Sequence, residues 1–256
     1  MIKKRIVGII TIKNGLVVQS FGYNKFLPIG KPEIVIKNLD RWGADEIMIN
    51  VIDRSPKNIG PDFELLNKLK PIGISTPIIY SGGISNLKDA LKVLEHGADR
   101  ILLESIVSNN FLEFKKLSSV VGTQSIIISL PLNLSNKKVL RFYEYKNKKI
   151  IDIPENFIIS LKENLCSEIV LIDYKNQGFK DKFNIDILNN FKFKNIKIIV
   201  YGGINTSNKV KSLLKDRRVV AFGFGNSLNY AEHQIQAIKE SLPKKVTREP
   251  NYLTEI

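Results

Sequence analysis

The amino-acid sequence contains an internal repeat with an offset of 120 residues. The segment SGGIS at 81–85 returns as YGGIN at 201–205, and each copy follows a short apolar run typical of a β-strand. The apolar segments 6–10 and 126–130 match at the same offset. A long fixed offset indicates that one supersecondary unit occurs twice. We therefore expect two copies of a unit of four strands and four helices, which together form an eight-stranded α/β barrel.

Short runs of isoleucine and valine alternate with helical patterns along the whole chain. Such runs are typical of parallel strands buried on both faces, and their alternation with helices predicts βαβ units. The predicted strands are 5–10, 46–51, 77–80, 100–104, 125–130, 168–173, 197–201 and 219–224. The predicted helices are 31–42, 62–70, 86–95, 109–118, 155–164, 183–190, 206–214 and 231–241. The chain is thus predicted to be a single (βα)8 TIM-barrel domain over 1–256, with half-barrels at about 1–120 and 121–242, a loosely held tail at 243–256 and a hairpin over one barrel mouth at 132–151.

Composition argues against several classes of protein. The chain has 39 basic and 25 acidic side chains, yet the lysines are dispersed and form no arginine-rich helix or zinc-type spacing, so we expect neither nucleic-acid binding nor a metal site. No apolar stretch reaches the roughly 18 residues of a membrane span, and we expect no secretory leader. The only cysteine, Cys166, cannot form an internal disulfide, which fits the cytoplasm. No cofactor motif is present, so no cofactor is expected.

Both glycine pairs of the repeat follow predicted strands, at the end of the barrel where such folds carry their active sites. Glycine allows a close backbone approach, and the helix start that follows offers N–H groups to an anion. Two symmetric copies predict two phosphate sites for a ligand with a phosphate at each end, although a tight turn alone also accounts for each pair. Glu104 is awkward there because a carboxylate repels phosphate. The predicted phosphate-binding residues are Gly82, Gly83, Ser105, Gly178, Gly202, Gly203, Gly225 and Asn226.

Several segments resemble one family over nearly the whole chain. They are KRIV at 4–7, GADE at 43–46, GADR at 97–100 and GTQS at 122–125, together with the paired glycine turns. This pattern is similar to that of the cyclase subunit of imidazole glycerol phosphate synthase and of its relatives in amidino-sugar biosynthesis. The resemblance implies a (βα)8 barrel that takes ammonia from a separate glutaminase subunit. The ammonia passes along the barrel axis and reacts with a sugar phosphate at the other end.

The resemblance also assigns roles to charged positions at the bottom of the barrel. The family's ring of alternating charges, which gates ammonia entry, corresponds here to Arg5, Glu46, Arg100 and Glu168. All four keep the sign that the family has. A purely structural ion-pair network is compatible with the same residues, because charges near a barrel axis need partners to offset desolvation. Asp99 and Gln124 match positions that face the glutaminase, although a solvated surface accounts for both equally well.

The residues at the chemical end depart from the family. Thr11 and Pro131 replace the two aspartates that act as acid and base, and neither side chain can carry a proton near neutral pH. Other positions that differ at this end are Gln19, Val51 and Gln177. The remaining polar candidates at this mouth are Asp53 and Asp173, of which Asp173 fits a structural hydrogen-bonding role better than that of a base.

Three functions follow as hypotheses. The first is a cyclase-type subunit of a glutamine-dependent amidotransferase complex, which receives ammonia through the barrel, has lost or altered its cyclisation chemistry and serves the amination of a sugar for surface polysaccharide. The second is an active imidazole glycerol phosphate synthase subunit of histidine biosynthesis, in which residues such as Asp53 and Glu104 replace the two aspartates. The third is a non-catalytic barrel that binds a phosphosugar as a scaffold, since a fold does not fix function.

Overall fold

The strands of the protein close into a parallel barrel. The computed structural model describes residues 3–230 and 233–251. Its strands are β1 (Arg5–Lys13), β2 (Leu16–Phe21), β3 (Lys25–Gly30), β4 (Glu46–Val51), β5 (Ile78–Ser81), β6 (Arg100–Leu103), β7 (Ile126–Leu134), β8 (Leu140–Glu144), β9 (Lys149–Ile151), β10 (Glu168–Asp173), β11 (Lys197–Tyr201) and β12 (Val219–Phe224). Eight of them pair in parallel in the order β10–β11–β12–β1–β4–β5–β6–β7, and β7 pairs with β10 to close the ring. The prediction of a (βα)8 TIM barrel is therefore confirmed.

Helices follow the barrel strands and cover the barrel from outside. They are α1 (Pro32–Arg41), α2 (Arg54–Lys57), α3 (Phe63–Leu69), α4 (Leu87–Glu95), α5 (Ser105–Asn109), α6 (Phe111–Val121), α7 (Glu155–Lys162), α8 (Ile185–Asn190), α9 (Ser207–Leu213) and α10 (Gln234–Glu240). Asn86 and Thr206 precede α4 and α9 after the two glycine turns. Each side chain accepts a hydrogen bond from a backbone N–H in the first turn of its helix. These polar caps explain why both helices begin where they do.

Two predicted helices differ from those in the structure. The helix predicted at 109–118 is present as α6, which begins after Asn110, and the short helix α5 before it was not predicted. The Asn110 side chain accepts a hydrogen bond from the N–H of Glu113 at 3.3 Å and so starts a new helix. The helix predicted at 231–241 begins at residues outside the described part of the chain, and α10 occupies most of the remainder.

The C-terminal segment is held against the bottom of the barrel, and the prediction of a loose tail over 243–256 is wrong for the residues that are described. The backbone N–H of Lys4 donates to the carbonyl of Val246 at 2.6 Å, and Lys4 also pairs with Thr247 in a parallel bridge. Thr247 is 2% exposed. The last part of the predicted tail, 252–256, lies outside the described residues. Among the helices of the described ranges, none has the length and apolar character that crossing a membrane requires.

Apolar side chains fill both faces of the barrel wall. Along β1, the side chains of Ile6, Ile10 and Ile12 join the layer beneath the helices, whereas those of Val7 and Ile9 point into the barrel. This alternation follows from the two-residue period of a strand. The barrel interior is filled by Val7, Ile9, Met48, Ile79, Leu102, Ile127, Val170, Ile172, Ile199 and Ala221, with polar groups at its two ends.

Two β-hairpins extend from long barrel strands and meet over the same mouth. The hairpin predicted at 132–151 is present, with Leu132 of β7 opposite Phe142 of β8 and β8 paired with β9. A hairpin of β2 and β3 was not predicted. It continues from β1 through Asn14 and Gly15, whose φ angles are both positive, as in the tight turns that suit hairpins. Asn-Gly between apolar runs is the sequence signal for such a turn, so this element was predictable.

Candidate functional site

The four charged residues at the bottom mouth form a closed ring of ion pairs. Each occupies the first position of a barrel strand, on β1, β4, β6 and β10. The nitrogens of Arg5 lie 3.0 Å from Glu46 and 2.7 Å from Glu168. One nitrogen of Arg100 lies 3.3 Å from Glu46 and 3.0 Å from Glu168. The strand register therefore brings two cations and two anions into an alternating square across the barrel axis.

The two carboxyls of this ring are not equivalent. Burial raises the pKa of each, and the guanidinium groups of Arg5 and Arg100 lower it. At Glu168 the guanidinium groups prevail, and the pKa lies below its ordinary value. At Glu46 burial prevails and raises the pKa. Glu46 also has the longer contacts, and its Oε2 atom is buried without a hydrogen-bond partner. Glu46 is therefore the weakest member of the ring.

Asp99 and Gln124 lie at the same end of the barrel. The Asp99 carboxylate accepts a 2.7 Å hydrogen bond from the N–H of Ile78, at the start of β5. Asp45 makes the equivalent 2.7 Å contact with the N–H of Ile6. Asp99 is thus used to anchor a strand end, although its side chain is exposed. Gln124 is exposed as well. A role of either residue toward a partner subunit stays a prediction.

Thr11 and Pro131 lie at the opposite mouth, at the positions predicted from the resemblance. Both are buried, and the Thr11 hydroxyl is within hydrogen-bonding reach of the phenol of Tyr201. Pro131 lies opposite Ile172 of the neighbouring strand. Gly225 leaves room for Tyr201, whose hydroxyl would lie 2.9 Å from an added Cβ. Neither predicted position supplies a group that titrates near neutral pH.

The two aspartates proposed from the sequence have local partners. Asp53 accepts hydrogen bonds from Lys57 Nζ at 2.9 Å and from the N–H of Asn14 at 3.2 Å. Burial alone would raise the pKa of Asp53, but these bonds outweigh it and hold the pKa below its ordinary value. Asp173 is buried, and its carboxylate accepts from the N–H of Asn184 at 2.8 Å, while burial raises its pKa. Asp173 therefore fastens the loop that follows β10.

Glu104 provides the titratable group at the centre of this mouth. It follows β6 directly, before Ser105 begins α5, and its carboxyl accepts a 3.0 Å hydrogen bond from Ser129 Oγ on β7. No lysine, arginine or histidine forms an ion pair with it in the described ranges. Desolvation, and to a smaller extent the nearby Glu144, raise the pKa of Glu104 to about 8. An acid that is neutral at pH 7 can donate a proton.

Tyrosines cover Glu104 where the two hairpins meet. The rings of Tyr23, from the β2–β3 turn, and Tyr145, which follows β8, lie 4.7 Å apart in an edge-on arrangement. Tyr143 contacts Tyr145 at 5.1 Å and stacks on Tyr174 at 4.4 Å. Tyr201 lies beneath them on the barrel wall. Sequence reasoning missed this cluster, because its members come from four separate segments and carry no motif.

The glycine pairs permit a close approach of neighbouring loops. A Cβ on Gly82 would collide with the carbonyl of Val51, and one on Gly202 would lie 2.5 Å from the carbonyl of Asp173. The same contact thus recurs at both copies of the repeat. The second glycine of each pair meets the backbone of the preceding loop in the same way; these residues are Gly83 and Gly203. Packing alone requires glycine at these positions, and phosphate binding there stays a prediction.

The β2–β3 hairpin occupies the predicted phosphate site formed by Gly178, Gly225 and Asn226. The Asn226 side-chain amide donates to the carbonyl of Ser20 at 2.8 Å and accepts from the N–H of Ser20 at 3.1 Å. It thus pairs with the backbone of Ser20 as a neighbouring strand would. The Ser20 hydroxyl donates to Gln177 Oε1 at 3.1 Å. Gly178 lies directly against the Ser20 carbonyl. In this closed arrangement the Asn226 amide binds the hairpin rather than an anion.

Replacing Gly178 by alanine should weaken the packing of the β2–β3 hairpin on the barrel, because the new methyl group would collide with the carbonyl of Ser20. Gly15→Ala is the matched control: Gly15 also has a positive φ, but nothing lies within 4 Å of its added Cβ. Each substitution costs about 1 kcal/mol for the backbone conformation alone. We expect Gly178→Ala to lose about 1 kcal/mol more, measured by urea unfolding. Equal losses would contradict the contact.

The described residues contain no group of three or more histidine, cysteine, aspartate or glutamate side chains placed to hold a metal ion. The titratable groups that the structure places at the upper mouth include Glu104, the tyrosine phenols and the carboxyls of Asp53 and Asp173. This is a site for proton transfer and for polar recognition. The lower mouth offers a neutral ring of paired charges.

Comparison with known proteins agrees with this architecture. The model of the family described as histidine biosynthesis protein matches residues 5–233. A putative imidazole glycerol phosphate synthase subunit hisF2 of Vibrio vulnificus (strain YJ016) is 25% identical over 244 residues, which are 94% of this chain and 89% of the relative. A putative HisF subunit of Leptospira interrogans is 24% identical over 233 residues, covering 90% of this chain and 91% of the relative.

A third relative carries the same name without the qualifier. The imidazole glycerol phosphate synthase subunit HisF of Staphylococcus aureus (strain MRSA252) is 27% identical over 245 residues, which are 94% of this chain and 97% of the relative. The family match and these relatives both span nearly the whole chain. The chain therefore belongs to the histidine biosynthesis protein family, and the relatives that it resembles within that family are HisF subunits of imidazole glycerol phosphate synthase.

Proposed function

We propose that this chain is a cyclase-type subunit that receives ammonia from a glutaminase partner through the barrel. The observation that carries the proposal is the closed ring of alternating charges at the lower mouth. The ring has no net charge, and ammonia is neutral. One ion pair must swing aside for passage, and the contact between Arg100 and Glu46 is the longest of the four, at 3.3 Å. The names of the relatives, which are subunits of a synthase, support the same reading.

The chemistry at the upper mouth is proposed to differ from two-aspartate cyclisation. Thr11 and Pro131 cannot act as acid and base, because neither titrates near neutral pH. Asp173 is engaged by the loop that it fastens. The ammonia would then serve another amination, and the sugar of a surface polysaccharide is the acceptor class that the resemblance to amidino-sugar proteins favours.

One observation favours an active synthase as the second candidate. The pKa of Glu104 is raised to about 8 and that of Asp53 is lowered. At neutral pH the first is therefore a neutral acid and the second a carboxylate. In enzymes that use two carboxyls, the one with the raised pKa acts as the acid and the one with the lower pKa acts as the base or nucleophile. In this candidate, Glu104 and Asp53 replace the two aspartates of the family.

Turnover of the bisphosphorylated imidazole-pathway precursor at saturating ammonia separates the two candidates. The first predicts no product from the purified chain, together with stimulation of glutamine hydrolysis when a glutaminase subunit is added. The second predicts product formation that Glu104→Gln and Asp53→Asn each reduce by about a hundredfold or more, the usual contribution of general acid–base catalysis. Absence of both turnover and glutaminase stimulation would remove the support for either candidate.

The ring itself is tested in the same assay. Arg100→Ala should leave the association with a glutaminase intact, because Asp99 and Gln124 flank the ring without belonging to it. It should also leave ammonia produced by glutamine hydrolysis free to escape, which lowers the fraction of nitrogen that reaches the acceptor. The readout is the ratio of aminated product to glutamate formed. An unchanged ratio would mean that Arg100 is a structural residue only.

A further inference from the structure

The Glu104 carboxyl has no cationic partner in the described part of the chain. Within these residues its carboxyl accepts one hydrogen bond, from the Ser129 hydroxyl at 3.0 Å, and its carboxylate neighbour Glu144 adds negative potential. Carboxylates deep in a protein are ordinarily paired with a cation or bound by several donors. Glu104 nevertheless keeps part of its surface accessible. The residue is thus a carboxyl without a counter-ion beneath the hairpins of the upper mouth.

The side chains that cluster near Glu104 are aromatic. Tyr23, Tyr143 and Tyr145 are each only partly buried, and the ring of Tyr145 lies 4.7 Å from that of Tyr23 and 5.1 Å from that of Tyr143. Glu104 is close enough to Tyr23 and Tyr145 to raise the pKa of both phenols, after the larger effect of burial. A cation within about 6 Å of an aromatic centroid is attracted by the negative face of the ring. Rings above a carboxylate without a counter-ion form a complementary surface for a small cation.

We propose that Glu104 and the rings of Tyr23, Tyr143 and Tyr145 bind a small protonated amine, either ammonium or the primary ammonium group of an organic molecule. The Glu104 carboxylate supplies the opposite charge, and Ser129 holds it in place. The ligand enters when the tips of the two hairpins separate. This site depends only on the geometry of the upper mouth, and it does not require that ammonia pass through the ring below.

Affinity for an amine should depend on pH in a way set by the groups that face Glu104. These groups are Ser129 on β7, Glu144 on β8, and the phenols of Tyr23 and Tyr145 at the hairpin tips. The phenols and the serine stay neutral across the range of interest. Deprotonation of Glu104, with its pKa of about 8, therefore switches binding on as the pH rises. Deprotonation of the amine, at about 10.4 for a lysine-like group, switches binding off.

The test is calorimetric titration of the full chain with methylammonium chloride against sodium chloride of equal ionic strength. We expect saturable binding that is about 25-fold tighter at pH 8.5 than at pH 6.5, because the ionised fraction of Glu104 rises by about that factor when its pKa is about 8. Ammonium chloride in a second titration distinguishes the two sources: tighter binding of ammonium indicates the free ion, and tighter binding of methylammonium indicates an organic amine. Potassium chloride should bind at least about tenfold more weakly than either amine, because it cannot donate hydrogen bonds to the carboxylate.

Glu104→Gln should weaken methylammonium binding about tenfold or more, the effect of losing a charge-assisted hydrogen bond. Glu64→Gln, which neutralises an exposed carboxylate on α3, should leave binding unchanged. The Tyr145→Phe variant keeps the aromatic ring and should bind methylammonium. The Tyr145→Leu variant lacks the ring and should not bind it. No saturable binding at pH 8.5, potassium binding as tight as the amines, or equal affinities of the wild type and Glu104→Gln would each overturn the proposal. If Glu104→Gln does not fold, an affinity of the wild-type chain that does not rise between pH 6.5 and 8.5 overturns it.

Failure of this site and failure of the proposed function are separable. Amine binding is measured without glutamine, glutaminase or a sugar phosphate. A chain that binds methylammonium but neither stimulates a glutaminase nor turns over the precursor would keep the amine site and lose the ammonia route. The opposite result would keep the ammonia route and lose the amine site.

Discussion

Replacing Glu168 by glutamine should destabilise the protein by about 3 kcal/mol, whereas Glu46→Gln should cost about 1 kcal/mol or less. Both substitutions remove one negative charge from the ring and keep the shape of the side chain. They differ because the ring stabilises the charged form of Glu168 and lowers its pKa, while burial prevails at Glu46 and raises the pKa. Glu168 also contacts Arg5 at 2.7 Å, the shortest distance in the ring.

The measurement is urea unfolding at pH 7, with the slope checked for each variant so that a change in midpoint reports a change in stability. Lys68→Ala supplies the control for an ion pair of ordinary surface type, since Lys68 and Glu64 contact each other at 2.6 Å but are 52% and 79% exposed. That control should change the free energy of unfolding by about 0.5 kcal/mol or less. Equal losses of stability for Glu168→Gln and Glu46→Gln would contradict the inference that the two carboxyls contribute unequally to the ring.

Stability should fall as the pH rises toward 8, and Glu104→Gln should abolish most of that fall. The folded pKa of Glu104 is about 8, and the unfolded value is about 4.3. Between these values the native state holds a proton that the unfolded state has released, so the free energy of unfolding decreases as the pH increases. Each unit by which the folded pKa differs from the unfolded pKa corresponds to about 1.4 kcal/mol in the free energy of unfolding. Because part of Glu104 is accessible to water, we expect a net loss on the order of 2 kcal/mol between pH 5 and pH 8.5.

The wild type and Glu104→Gln are compared by urea unfolding at several pH values across this window. The free energy of unfolding of the variant should equal that of the wild type or be slightly lower at pH 5. It should be higher at pH 8.5, because glutamine cannot ionise. Glu64→Gln controls for the removal of a carboxyl that is exposed and paired with Lys68. Parallel profiles for the wild type and Glu104→Gln would mean that Glu104 ionises as it does in an unfolded chain.

The barrel was predictable from the sequence because its signals are local and repeated. The glycine turns at 81–85 and 201–205, the buried strands before them and the polar caps after them all occur twice. Agreement between the strand pattern, turn chemistry and capping is what specifies a fold. Helix α5 was missed because it is only five residues long, and α6 begins after Asn110, whose side chain caps it.

The two ends of the barrel were predictable to different degrees. The ring residues lie at the first positions of regular strands, where register alone brings them together. The upper mouth depends on hairpin tips, whose direction is set by tertiary contacts such as that of Tyr143 on Tyr174. Glu104 appeared as an awkward carboxylate beside a phosphate site, and its raised pKa follows mainly from burial beneath the hairpins. No local pattern carries that information.

The contact between Ser20 and Asn226 joins positions 206 residues apart along the chain. During synthesis, the β2–β3 hairpin must therefore wait for 206 further residues before the anchor of Ser20 exists. Loop closure over such a separation is slow compared with the formation of neighbouring βα units. The upper mouth therefore cannot be completed before the last barrel strand, β12, has been made. A nascent chain that ends before β12 would hold a β2–β3 hairpin without its anchor and a barrel that is still open between β1 and β11.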